Sequence, residues 1–506
     1  MKPAEAIFAT VLAAGPAAAQ QQPLSAIEWL NDPVPLAAPR LPPGQEPPVA
    51  PTVMVPDVSV MPLGESRPDG VGLLPAGVTG LPATLWAASS ETTLIDLWSG
   101  ISHEPLPAVQ ALYYTLLLSE ADAPEGDDGR FLRARVERLA MLGAVEPAIA
   151  LLERAGPAEP ALFAPWFDLT LLSGGEGRAC NALRRQPELS PGHAARIYCA
   201  ARAGDWNTAT VIFEVSRALG LLSAPVSRLL DLFLHPGLAE GGVPLAPPRS
   251  PSPLEFRLHE AVGASLPTHS LPRAFAVADL RSVAGWKAKL EAAERLARTG
   301  AVSPNRLLGL YTERSPAASG GVWDRVAAIQ ALDSALGNAD LTRIARALPA
   351  AWDAMQAVRL EVPFAQLFSA RLEDFDLPSD SAGLAWEIGL LSDGYETVAM
   401  RPGSGREARF LAGVAHGEPP LELAENTLER AVGDAFATTR AAPADRALLE
   451  QGRLGEAILR AANRLDAAGR GDGAAIVSGL ATLRAVGLED SARRSALQLL
   501  LLDWRR

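Results

Sequence analysis

"RFLRARVERLAMLGAVEPAIALLERAGPAEP" (residues 130–160) decides the fold. Leu132, Val136 and Leu139 recur at steps of four and three, which puts them on one face of a helix. Gly143 closes that helix, and Ala148, five residues later, stands early in a second one. A glycine end followed by a small residue lets two successive helices pack closely. The spacing continues through Leu152, Ala155 and Pro160. It starts again at Gly204 and Ala209, running on through Phe213 and Ser216, and its first two positions recur as Gly394 with Ala399 and Gly452 with Ala457. From about Thr84 onward nearly every segment has helix length and apolar residues at three- and four-residue steps. Val322, Val326, Ile329, Leu332 and Leu336 make one such stripe, with Gly337 as its stop, and Ser303-Pro304 is a helix start. Alternating Val, Ile and Thr runs, the strand signal, are missing. The predicted class is all-α, built from antiparallel helix pairs.

The stretch "GDWNTATVIF" (204–213) resembles the second helix of a tetratricopeptide repeat, and residues 130–160 resemble one whole repeat. No strict period of about 34 residues runs through the chain. The resemblance is therefore to a degenerate α-solenoid of tetratricopeptide or Sel1-like type, and it implies stacked pairs offering a long curved surface to an extended protein or peptide partner. "LARTGAVSPNRLLGLYTERSPAASGGVWDR" (296–325), together with the N-terminal features described next, is similar to uncharacterised bacterial envelope proteins, some loosely labelled "antifreeze glycopeptide polyprotein"; the Ala-Ala-Thr repeat that label requires is absent.

At 506 residues the chain exceeds a usual single core, so it divides or extends as an array. The net charge of −13, from 58 acidic and 45 basic residues, argues against non-specific nucleic-acid binding and against docking on an anionic membrane by bulk charge. Residues 6–14 are an apolar run broken by Gly15 and Pro16, and Ala17 and Ala19 fit the small-residue rule for cleavage. Residues 1–19 read as a signal peptide cut after Ala19, which predicts a periplasmic protein. No segment approaches the roughly 18 apolar residues of a membrane span. Residues 20–82 carry 14 of the 43 prolines and read as an extended tether, interrupted by "LSAIEWLN" (24–31), a docking peptide or a segment that folds back on its own domain. A second proline cluster at 236–272 reads as a connection between two helical regions, 83–235 and 273–506.

Cys180 and Cys199 are the only cysteines. "EGRACNALRR" (176–185) and "HAARIYCAARAG" (193–204) read as helices joined by the turn "PELSPG" (187–192). The turn's midpoint falls between Leu189 and Ser190, equally far from the two cysteines. In an antiparallel hairpin, equal distances bring residues side by side, and an exported protein meets an oxidising compartment, so a disulfide is expected. Zinc needs more ligands than the single nearby His193, which points about 240° around the helix from Cys199. A redox-active Cys-x-x-Cys pair is absent.

No metal-protease, nucleophile-elbow or phosphate-loop motif is present, and neither a cofactor nor a metal is expected. The best candidate site is "LYTERSPAASGGVWDR" (310–325). It sets Tyr311, Glu313 and Arg314 at one helix end and Trp323, Asp324 and Arg325 on the next, across a small-residue loop. Aromatic plus arginine is a frequent interface anchor; a flexible loop with a snorkelling tryptophan is the plainer reading. The expectation is a non-enzymatic envelope scaffold or adaptor. Its rival is an enzyme or accessory of cell-wall glycan metabolism, which a glutamate in a deep, poorly solvated cleft would favour.

Overall fold

The computed structural model describes residues 67–126, 129–239, 245–401, 403–468 and 471–503. The expected signal peptide, the tether up to residue 66 and the 24–31 segment lie outside the described residues. Within them the chain is all-α, with two isolated β-bridges and no strand. The helices are α1 (Ala76–Thr79), α2 (Glu91–Ser99), α3 (Pro107–Leu118), α4 (Arg130–Leu142), α5 (Val145–Ala155), α6 (Pro160–Ser173), α7 (Gly177–Arg185), α8 (His193–Arg202), α9 (Trp206–Ala218), α10 (Ala224–Leu234), α11 (Pro253–Ala261) and α12 (Trp286–Ala297). There follow α13 (Pro304–Thr312), α14 (Val322–Gly337), α15 (Leu341–Gln356), α16 (Glu361–Glu373), α17 (Ser379–Leu390), α18 (Tyr395–Ala399), α19 (Arg406–His416), α20 (Thr427–Ala437), α21 (Pro443–Glu450), α22 (Leu454–Ala468), α23 (Gly473–Ala485) and α24 (Glu489–Leu501).

The helix ends have local causes. Ser90, Asp205, Ser303, Asp340, Asn426 and Asp472 each accept a hydrogen bond from a backbone N–H of the first turn they precede. Gly143 takes a left-handed φ of 85° after α4, and a Cβ there would lie 2.5 Å from Leu296 of α12. Glycine is required twice over, for the turn and for the approach of α12. The small residues of the recurring spacing, Ala148, Ala209, Ala399 and Ala457, are all buried. Gly143, Gly204 and Gly452 have positive φ; Gly394 differs, with φ −88°. The Val322–Leu336 stripe is buried as expected, but Gly337 is the last helical residue and the positive φ falls at Ala339.

Two proline-rich stretches are more ordered than their composition predicts. From Arg67 the chain is already fastened to the helices. Leu73 and Leu74 N–H donate to the Leu118 carbonyl, and Asp69 accepts from Leu132 N–H at 2.7 Å. The wholly buried Arg135 donates to the carbonyls of Leu117, Val71 and Ser119 at 2.8–2.9 Å. Burial pulls its pKa down to about 10, with Asp69 opposing. In the 236–272 connection, Ser252 and Glu255 form a reciprocal capping box that starts α11, which packs on α6 and α10 and buries Phe256 and Leu258.

Most sequential neighbours from α3 to α19 pack on one another, and the succession of contacts also closes on itself. α2 and α3 lie against α22, and α3 against α24. The Asp466 carboxylate accepts from the N–H groups of Ser102 and Leu106, Gln498 from Ala108 N–H at 2.7 Å, and Asn463 from the Tyr113 hydroxyl at 2.7 Å. α4 meets α12 through the 3-10 helix Arg273–Leu280, and Thr299 hydroxyl donates to the Leu142 carbonyl.

Candidate functional site

The expected site divides between interior and surface. Glu294 on α12 follows Leu290 by four residues and precedes Ala297 by three, so it lies on the buried face of its helix. Tyr311, at the end of α13, is buried and donates its hydroxyl to Glu294 Oε1 at 2.8 Å. Arg325, one turn into α14, grips the same carboxylate with Nε at 2.8 Å and Nη2 at 2.6 Å. Burial, then the Glu294 charge, pushes the Tyr311 hydroxyl well above its usual range. Burial acts to lower the Arg325 pKa, but its bonds to Glu294 outweigh this and raise it. The carboxylate is fully engaged, and the triad ties three helices together.

The other four residues stand around that knot. Trp323 is half-buried on Trp286, ring centroids 5.1 Å apart. Asp324 accepts from Gly320 N–H at 2.9 Å, inside its own loop. Glu313 and Arg314 are exposed and pair with each other at 3.1 Å. Gln330 ties the corner down by donating to the Tyr311 and Arg314 carbonyls. The structure thus brings all six into one inter-helix corner. It commits Tyr311 and Arg325 to the interior and leaves Glu313, Arg314 and part of Trp323 at the surface.

A second region draws more apolar surface into water. Cys180 and Cys199 are disulfide-bonded, with Cα atoms 5.0 Å apart, and join α7 to α8. Beside them the buried Glu176 accepts from the Tyr198 hydroxyl at 2.9 Å and pairs with Arg257 of α11 at 3.3 Å. Burial pushes Tyr198 up to about 12, and Glu176 adds to it. Burial also acts to raise the Glu176 pKa, but its hydrogen bonds and the arginines prevail and hold it below the usual range. Upon this fixed hairpin lies α9. Ala209, Phe213 and Ser216 form its buried face. Val211, Val215 and Leu219 point the other way and are 63%, 52% and 67% exposed. Trp206 and Leu221, at the two ends, are each 49% exposed, and Trp206 leans on Phe233 of α10. Five of the ten strongly exposed large apolar side chains among the described residues fall within 206–221. Such a concentration, unlike scattered exposed residues, marks a place of contact. Sequence reasoning missed it because "TATVIFEVSRALG" is apolar on both faces.

Two cavities lie elsewhere in the fold. One of about 330 Å³ lies where α19, α20, α23 and α24 meet, walled by Phe410, Leu411, Leu428, Ile476 and Leu499, with Glu407 at its polar side. Another, about 310 Å³, runs between α4 and α6 and holds Arg133, Glu137 and Asp168. Burial pushes the Asp168 carboxyl up to about 6. Among the described residues no group of three or more His, Cys, Asp or Glu could hold a metal ion. No family model, curated protein or solved structure matches the chain.

Proposed function

We propose that the chain is a non-enzymatic, periplasmic helical-repeat scaffold that binds a protein partner through the outward face of α9. The carrying observation is the apolar line Val211–Val215–Leu219, exposed on a helix whose other face is fully used. Covering the part of these three side chains that is still exposed contributes roughly 1–2 kcal/mol each. The disulfide hairpin beneath α9 supports export to an oxidising compartment and keeps the line rigid, which lowers the entropy lost on binding. The test is a photo-crosslinking residue at position 215 in intact cells, with exposed Arg346 on α15 as the control position. The expected outcome is a discrete protein adduct from 215 and none from 346. Recovery of wall fragments without protein would refute the scaffold.

The rival reading, an enzyme of cell-wall glycan, has one observation in its favour: a carboxyl raised toward neutrality at Asp168, sharing a groove with Glu137. Glycoside hydrolysis uses a pair of carboxyl groups, one of them kept protonated as the acid. Incubation of the chain and of its Asp168→Asn variant with isolated sacculi decides it: solubilisation by the first and not the second would establish the enzyme.

A further inference from the structure

We infer that the chain carries an oxyanion site where the end of α12, the loop before α3 and the α15–α16 turn converge, and that its ligand is a doubly charged phosphate group, free or as a monoester, held by Arg298 and Arg359 with the charge of Arg273 and Arg295 in support. The site shares no residue with the α9 face and stands without it.

The cluster is gathered from distant parts of the chain. Arg295 and Arg298 stand at the end of α12, three residues apart, so both leave the same side of the helix. Arg273 opens the 3-10 helix Arg273–Leu280, and Arg359 lies between α15 and α16. Glu104, before α3, accepts from Arg273 Nη2 at 3.2 Å and from Arg359 Nη1 at 2.6 Å. Arg295 donates to the Thr268 and Leu271 carbonyls, and Arg298 gives its Nε to the Val358 carbonyl at 2.8 Å. Four arginines therefore surround one ion-paired carboxylate, in a chain whose net charge is −13.

These cations act on one another. Burial pulls the Arg273 pKa down; Glu104 opposes, and Arg295 and Arg298 add to the fall. Burial also lowers Arg295, Arg298 adds to it, and Glu104 and Asp279 act the other way. Asp279 is an imperfect counter-charge, because burial raises its own pKa. Even with Asp279 ionised, the arginines outnumber the acids two to one. An anion bound among like charges relieves their repulsion.

The excess charge is not spent within the fold. The two Nη groups of Arg298 make no hydrogen bond or ion pair among the described residues. The Arg273 side chain is only 9% exposed, and its Nε has no partner, where buried polar groups are ordinarily satisfied. Arg359 has φ 57°, the left-handed position after α15 that favours glycine. A strained arginine is kept there, half-exposed, beside Glu104. The guanidinium fork matches phosphate oxygens two at a time, and a dianion matches the surplus of cations. A carboxylate brings half that charge.

Isothermal titration of the mature chain with inorganic phosphate, in low salt at about pH 8 where the dianion predominates, should show saturable binding about tenfold or more tighter than acetate. Arg298→Gln should weaken it about tenfold or more. Arg359→Gly suits the left-handed turn, so it removes a ligand without harming the fold, and it should weaken binding on its own. Both variants together should abolish the heat. Vesicles of phosphatidylcholine with phosphatidic acid, a lipid phosphomonoester, separate the sources. Co-sedimentation with these and not with pure phosphatidylcholine, competed by inorganic phosphate, would assign the ligand to a headgroup; binding of inorganic phosphate without co-sedimentation would assign it to a soluble phosphate. Binding of neither, equal binding of acetate and phosphate, or binding unchanged in the double variant would overturn the inference.

Discussion

Reduction of the Cys180–Cys199 bond should loosen α7 and α8 far more than it lowers the melting temperature. The two cysteines are 19 residues apart. Loop-closure entropy for that length amounts to about 3 kcal/mol at 25 °C. Spread over a compact unit that starts at Gly64, with an unfolding entropy of about 2 cal/mol/K per residue, the same free energy moves the melting temperature by only about 3 °C. Local opening magnifies it. The amides of α8 that exchange by opening the hairpin should exchange about 100-fold faster once the bond is cut, since about 1.4 kcal/mol is tenfold. Hydrogen–deuterium exchange with mass spectrometry, with and without a phosphine reductant, reads this directly. The Cys180→Ser/Cys199→Ser variant should behave like the reduced protein and ignore the reductant. The α14–α15 pair should be unchanged in every sample. Protection in His193–Arg202 that stayed within threefold on reduction would refute the reasoning, because neighbouring packing would then be holding the hairpin without the bond.

Glu294→Ala should cost about 3 kcal/mol or more in urea unfolding, because it strands Arg325 and the Tyr311 hydroxyl in a buried corner; adding Arg325→Met should recover most of it, and a cost of the single variant below about 1 kcal/mol would contradict the knot. Gly455→Ala should destabilise by about 1–3 kcal/mol, since its Cβ would lie 2.5 Å from the Trp86 ring and 2.6 Å from the Leu85 carbonyl. Gly77→Ala, with nothing near its Cβ, should not destabilise in the same urea unfolding. Asp168→Asn should stabilise in a pH-dependent way. Burial raises the Asp168 pKa from 3.8 to about 6, so the ionised form is disfavoured in the fold. That penalty is absent below about pH 4, grows as pH rises and is complete above about pH 7. After discounting for its partial exposure, the gain at pH 7.5 is about 1–2 kcal/mol, and an equal gain at pH 3.5 would contradict the assignment.

The helices were legible because one-sided patterns leave a single way to bury the apolar stripe, as in Val322 to Leu336. The disulfide was legible because a hairpin converts equal distance from a turn into proximity. Other features depend on a third element that no local pattern encodes. Glu294 looks like a solvated helix charge until α13 and α14 close over it with Tyr311 and Arg325. α9 offers two apolar faces, and only the arrival of α8 and α10 decides that Phe213 turns inward and Val215 outward. Prolines 253 and 272 suggested a loose connection, yet the capping box at Ser252 and the burial of Phe256 make a packed helix between them. The docking of α2 and α3 on α22 and α24 has no short-range signal, being made by single side chains such as Asp466 and Gln498.

That docking also sets a timetable. The bonds from Ser102, Leu106 and Ala108 to Asp466 and Gln498 join positions 360–390 residues apart. The surfaces of α2 and α3 that meet α22 and α24 are synthesised early and have no permanent cover until those last helices emerge. Contacts this remote form slowly. The nascent chain therefore carries greasy, unfinished helices through most of its synthesis, and folding is completed only when the last arrivals dock on the first.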